Sequence, residues 1–214
     1  VPWKNYVVVG TTDTHVKKAS EEPKALNEEI DFILKNAAKY MSVKTKRDDI
    51  KSVFAGLRPL AATSNKQSTK EVSRSHKIDI SPSGLISVLG GKWTTYRKIA
   101  EDALNTAISI NKLKKKKCKT ERTKLFGFKR NVSWSDPMHV YGSMKKKVES
   151  LGGVNDNKSL SKKFYVSNNI IEWSIIHEMA LTVEDILARR TRCVFLDSKE
   201  SKRIAPVVAQ KMAD

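Results

Sequence analysis

The chain has 214 residues, with 41 Lys and Arg against 23 Asp and Glu, a net charge of +18 and 39% apolar residues. That composition supports one or two domains with apolar cores, and only nine glycines and six prolines are present, so collagen-like, fully disordered and mini-protein classes are excluded. No apolar run reaches the roughly 18 residues of a membrane span, and Cys118 and Cys193 form neither a CxxC pair nor a His-linked zinc spacing, so no metal is expected. Val1 leads directly into Tyr6-Val7-Val8-Val9, a short apolar run closed by Gly10, which predicts a strand buried on both faces. A chain that starts this way reads as a piece cut from a longer one.

From residue 20 to 41 the period changes. Leu26, Ile30, Ile33, Leu34, Ala37 and Met41 recur at three and four, with Glu21 and Glu22 at the start, which predicts an amphipathic helix. Val53-Phe54-Ala55 reads as another strand broken at Gly56, and Pro59 biases Arg58 toward extended geometry. Residues 63–69 read as a polar surface loop. Strands over 77–80 and 85–89 flank Ser81-Pro82-Ser83-Gly84, a hairpin signal. Leu89 then runs into Gly90-Gly91-Lys92-Trp93-Thr94-Thr95, after which Tyr96, Ile99, Ala100, Ala103, Leu104, Ala107 and Ile108 keep helical spacing.

The positive charge is concentrated. Six lysines fall within residues 112–119 (KLKKKKCK) and three more at 145–147. The first run carries no apolar face and marks a domain boundary. Neither run interleaves aromatic residues, as readers of single strands do, so nucleic acid is not expected, and a basic polyanion-binding module stands as an alternative function. Beyond the run the chain turns helical. Asp136-Pro137 opens a helix whose face is Tyr141, Met144, Val148 and Leu151, stopped by Gly152-Gly153. A second helix covers 170–179. Thr182-Val183-Glu184-Asp185 is a capping box with Asp for Glu, opening a third helix toward Val194. The expected class is α+β: residues 1–110 as the closing strands and helix of one domain, 111–132 as a Lys-rich linker, and 133–214 as an all-α domain.

A strand, a Gly-Gly turn and a helix N-terminus form an anion-binding geometry, because small residues admit a ligand to the backbone and the helix dipole favours negative charge. Lys92 adds a fixed cation at that corner. Arg58 and Arg74 lie at strand edges, where binding residues are held. His15, His76, His139 and His177 are scattered, with no triad or metal spacing.

Three words in order, Val9-Gly10-Thr11-Thr12-Asp13, Gly56-Leu57-Arg58-Pro59-Leu60 and Leu89-Gly90-Gly91-Lys92-Trp93-Thr94-Thr95-Tyr96-Arg97, closely resemble the FAD-dependent glycerol-3-phosphate dehydrogenases. The word from Thr182 to Arg192, TVEDILARRTR, resembles the hallmark of that family's helical C-terminal domain. The resemblance implies a flavoenzyme that oxidises sn-glycerol 3-phosphate to dihydroxyacetone phosphate and passes electrons to a membrane quinone. By it, Gly90, Gly91, Lys92, Trp93 and Thr94 would line FAD, while Arg58, Arg74 and Lys92 would hold the substrate phosphate, for which the planar guanidinium fork is suited. It also implies peripheral contact with the mitochondrial inner membrane, or with the cytoplasmic membrane in a bacterium, and is compatible with a homodimer. No GxGxxG and no catalytic base are found here, so both are expected in an N-terminal half outside these residues, and this segment is expected to be inactive alone. An oxygen-using glycerol-3-phosphate oxidase is the nearest alternative. No D-x-[DN]-x-[DN]-G loop is present, so calcium is not an expected ligand.

Overall fold

The computed structural model describes residues 1–58 and 75–214. The loop expected at 63–69, and Arg74 with it, lie outside the described residues. The fold is α+β, with two small antiparallel ribbons and a set of helices. It divides into two compact units. One comprises Val1–Asp13, Lys24–Ala55 and Leu125–Asp214, and the other Thr14–Pro23 and Gly56–Lys124.

In the larger unit, β1 (Pro2–Trp3) pairs with β2 (Tyr6–Val7). The buried strand expected at residues 6–9 is therefore a two-residue ribbon, with Val7 56% and Val9 44% exposed. Burial on both faces requires covering layers on each side. Here, among the described residues of the ribbon, Trp3 and Tyr6 on one face pack against the helical core. Helix α1 (Asn27–Ala37) begins seven residues later than the periodicity suggests. Pro23 disfavours helical geometry at Glu22, and the start is set instead where the Glu29 carboxylate accepts the Leu26 N–H at 2.9 Å. The strand expected at 53–55 is not a strand. Phe54 instead packs edge-on against Phe195, with centroids 4.9 Å apart, and the Lys51 carbonyl accepts from the Ser198 N–H and hydroxyl.

The helical part of this unit holds the buried core. Its first half is not the single helix expected after Pro137, but a tight turn (His139–Met144) followed by α3 (Lys145–Glu149). The break is at Gly142 (φ 52°), where a Cβ would collide with the Gly127 carbonyl, which itself accepts from Ser143 N–H at 2.9 Å. Met138 and Val148 bury there against Ile170 and Trp173 of α4 (Asn168–Glu178). The α4 cap is Ser167, whose hydroxyl accepts the Ile170 N–H.

The capping box at Thr182 is present: the Asp185 carboxylate accepts from Thr182 N–H at 2.9 Å, and the Thr182 hydroxyl accepts from Asp185 N–H at 3.1 Å. It opens a wide π-turn (Asp185–Arg190), and Arg192 (φ 63°) then breaks the chain before α5 (Cys193–Leu196), so one continuous helix toward Val194 does not form. The final helix α6 (Ser198–Ala213) is absent from the sequence-based expectation. Its cap, Asp197, is 2% exposed and is held by Lys163 at 2.5 Å. Ile171, Ile186, Leu187, Leu196, Ile204 and Val208 close the main core.

In the smaller unit, β3 (His76–Ile80) pairs with β4 (Ile86–Gly90), from His76 opposite Gly90 to Ile80 opposite Ile86, as the hairpin signal indicates. Gly84 (φ 84°) turns the connection, with its N–H donated to Ser81 O at 2.9 Å. Helix α2 (Tyr96–Ile110) follows, and residues 112–124 after it contain neither helix nor strand.

Candidate functional site

The hairpin delivers the chain into the glycine turn. Gly90 (φ 68°) and Gly91 (φ 92°) both adopt left-handed geometry, which only glycine enters without strain. Lys92 is extended, and Trp93–Thr95 forms a single tight turn that winds into α2. The first internal bond runs from Thr95 N–H to Lys92 O at 3.0 Å, so the N–H groups of Trp93 and Thr94 precede it. Among the described residues no side chain caps this start. The arrangement is an open helix N-terminus of a 15-residue helix, with Lys92 exposed beside it.

The turn is fixed from beneath. A Cβ on Gly91 would lie 2.7 Å from Ile99 Cδ1 and 3.2 Å from His76 Cβ. His76 is in turn tied to α2, with Nε2 3.1 Å from Asp102 Oδ2, while Lys98 Nζ sits 2.7 Å from Asp102 Oδ1. Those bonds, from Lys98 first and His76 after it, hold the Asp102 carboxyl below the usual carboxylate range against the opposing effect of burial. The His76–Asp102 pair has no signature in linear spacing, because the partners are 26 residues apart. Hairpin register and helix period together would have located it.

Above the turn, Trp93 is 87% exposed and stacks on Tyr96 with centroids 5.8 Å apart. Gly90, Gly91, Lys92, Trp93 and Thr94 are thus united on one corner. Arg58 lies on a separate exposed stretch of the same unit, residues 56–58. The corner fits a group carrying both an anion and a flat apolar ring: backbone N–H groups and an ammonium for the charge, a glycine cradle for close approach, an aromatic pair for the ring. Among the described residues no cluster of three or more His, Cys, Asp or Glu could hold a metal ion.

Comparison with known proteins decides the lineage of this corner. Residues 86–214, from β4 through α6, match the family described as the C-terminal domain of alpha-glycerophosphate oxidase. The chain belongs to this family. Over its whole length it is also similar to proteins named mitochondrial glycerol-3-phosphate dehydrogenase, at 32% identity over 99% of the chain in Mesocricetus auratus and 30% over 100% in Arabidopsis thaliana. A protein of Dictyostelium discoideum named as a probable mitochondrial glycerol-3-phosphate dehydrogenase is 32% identical over 100% of the chain. The chain spans about a third of the length of the curated relatives it matches, 32% for the first and 39% for the second. The match to the family begins at Ile86 and so includes the whole glycine turn.

Proposed function

We propose that the chain is the C-terminal part of a FAD-dependent glycerol-3-phosphate dehydrogenase that oxidises sn-glycerol 3-phosphate to dihydroxyacetone phosphate and delivers the electrons to a membrane quinone. The observation that carries this reading is the uncapped start of α2 behind Gly90-Gly91-Lys92, within a chain similar throughout to proteins of that name. In this reading residues 1–110 close the FAD and substrate domain, 111–132 link it and 133–214 form the helical domain, although Val1–Asp13 and Lys24–Ala55 pack into the same compact unit as Leu125–Asp214. The relatives' names support a mitochondrial location, and peripheral contact at the inner membrane follows from the quinone acceptor in this reading. No helix among the described residues is long and apolar enough to cross a membrane.

When bound, FAD supplies a two-electron acceptor. Gly90, Gly91, Trp93 and Thr94 hold it through the backbone and the exposed indole, and the α2 N-terminus with Lys92 stabilises negative charge brought against it. Each such interaction contributes on the order of 1 kcal/mol at a partly exposed helix end. Arg58 and Arg74 are assigned to the substrate phosphate, for which a guanidinium fork is chemically suited, with Lys92 as the third cation. The proton from the substrate hydroxyl goes to a base outside these residues, so the segment alone is inactive.

The matched family bears an oxidase's description, which favours oxygen as a second reading of the electron acceptor. Anaerobic titration of the full-length enzyme with glycerol 3-phosphate, followed at the flavin band, tests both. Bleaching restored by quinone and slow in oxygen supports the dehydrogenase, rapid recovery in oxygen supports the oxidase, and a flavin indifferent to the substrate overturns both.

A further inference from the structure

His76 grips the glycine corner at both ends. Its backbone is the partner of Gly90 in the last rung of the β3–β4 ladder before the turn, and a Cβ on Gly91 would lie 3.2 Å from its own. Its ring reaches the other way, with Nε2 3.1 Å from Asp102 Oδ2 on α2. The segment from Gly90 to Asp102 therefore closes on one residue, the strand end through the main chain and the helix through the side chain. Asp102 is steadied in turn by Lys98 Nζ, 2.7 Å from its other oxygen.

Stability alone does not account for this tie. The two side chains are 20% and 29% exposed, and polar pairs open to solvent contribute little. An apolar contact is already in place, since Ile99 Cδ1 sits 2.7 Å from where a Cβ on Gly91 would be. What a hydrogen bond adds is distance and direction. It limits how far α2 slides or turns beneath the strand end, and so fixes where the N–H groups of Trp93 and Thr94, with Lys92 beside them, stand against the Gly90-Gly91 cradle.

The charges of α2 serve the same end. Its first turn holds no acidic residue but carries Arg97 and Lys98, which the helix dipole disfavours there. Their partners follow four residues on, Arg97 to Glu101 at 2.8 Å and Lys98 to Asp102 at 2.7 Å, the less favourable order for such pairs. A helix charged against its own dipole gives up stability and leaves its N-terminus without an internal counter-charge, ready for an anion from outside.

We infer that His76 and Asp102 are positioning residues for the cofactor corner: their bond sets the α2 N-terminus against Gly90-Gly91, and with it how tightly the corner holds FAD and how far it favours added negative charge. This role rests on the flavin reading proposed above. Full-length protein carrying H76A, H76Q, D102L or D102N, and the double variant H76A/D102L, is stripped of flavin and titrated with FAD. The refilled proteins are equilibrated with a reference redox dye, and the thermal unfolding of each apoprotein is recorded.

H76A and D102L, which break the bond, are expected to weaken FAD binding by about fivefold or more and to shift the dye equilibrium toward oxidised flavin by a similar factor. The double variant is expected to be no worse than either single one, since both remove the same contact. H76Q and D102N, which retain a hydrogen-bonding group at each position, are expected to recover most of the FAD affinity. Where D102L fails to fold, H76A and H76Q decide. Wild-type FAD affinity and dye equilibrium in H76A overturn the role, and a lowered unfolding temperature with both flavin readouts unchanged reduces the pair to a structural strut. A loss that H76Q leaves unrecovered overturns it too. Wild-type protein that takes up no FAD overturns the flavin reading and this role with it, whereas normal uptake by wild type and variants alike overturns the role alone.

Discussion

Arg190 donates through both Nε, at 2.9 Å, and Nη2 to the carbonyl of Glu178, the last residue of α4. The guanidinium thus closes a helix C-terminus whose carbonyl has no intrahelical partner, and places a cation where the dipole favours one. The neighbouring Arg189 points elsewhere, to Glu184 at 2.7 Å and Asp185 at 3.0 Å on the surface. The two arginines of the RRTR word therefore have unequal weight. Arg190→Lys, which cannot present two N–H groups in a fork, is expected to destabilise the helical unit by about 1–2 kcal/mol. Arg189→Lys should change it by less than about 0.5 kcal/mol. Urea midpoints for the two variants decide the matter, and equal losses would contradict the assignment.

Gly91 answers to its own protein before any cofactor. The Cβ of an alanine would meet Ile99 Cδ1 and His76, and φ 92° is strained for any L-residue. Gly91→Ala is expected to cost about 2–3 kcal/mol from strain and overpacking together. Adding Ile99→Val, which removes Cδ1, should recover the steric part and leave the backbone part. Thermal unfolding of the single and double variants reads this directly, and a double variant no better than the single would show that Ile99 is not the obstacle.

What was legible in the sequence was local. The 76–90 hairpin, the glycine turn, α4 and the Thr182–Asp185 box are each specified by residues within a few positions of one another. The failures are tertiary. Gly142 breaks the 139–149 helix because a distant carbonyl, that of Gly127, needs its space, and no periodicity reports that. Tyr6–Val7 has the apolar run of a buried strand but only a two-residue neighbour to pair with. Helix α6 escaped notice because Pro206 sits in its middle and Lys and Arg crowd its first turns, although Ile204 and Val208 are spaced for one buried face. For the candidate site, the corner residues are adjacent in sequence, so their shared turn is legible there. The His76–Asp102 tie beneath them spans 26 residues and is not.

Among the described residues, Lys92 bonds only through its backbone carbonyl, which accepts from Thr95, and its side chain is exposed. Lys92→Ala in the full-length enzyme should therefore leave the unfolding temperature within about 1 °C, since surface changes of this kind are within about 0.5 kcal/mol. Under the proposed phosphate role it should lower kcat/KM for glycerol 3-phosphate by about 30- to 150-fold, the equivalent of a lost charge-assisted contact of about 2–3 kcal/mol. Arg58→Ala is expected to lower kcat/KM likewise. Steady-state kinetics with both variants at wild-type values would remove these residues from the site.

Glu200 supplies the pH dependence. Arg203 grips its carboxylate through Nε at 2.9 Å and Nη2 at 2.7 Å, the Ser161 hydroxyl donates at 2.6 Å, and its pKa is lowered from 4.5 to about 2. A carboxyl with a depressed folded-state pKa binds more protons when unfolded, so it stabilises the fold fully above its unfolded value, and that contribution fades as the pH falls from about 5 toward 2. Glu200→Gln removes the titration. The variant should be less stable than wild type at pH 7, with the gap narrowing through that window until the two curves meet near pH 2. Asp197, also depressed, titrates in both proteins, with the Glu200 charge opposing its ionisation in wild type alone. Urea denaturation of the pair at half-unit steps from pH 7 to 2 follows the gap, and curves that run parallel throughout would mean that Glu200 titrates alike folded and unfolded.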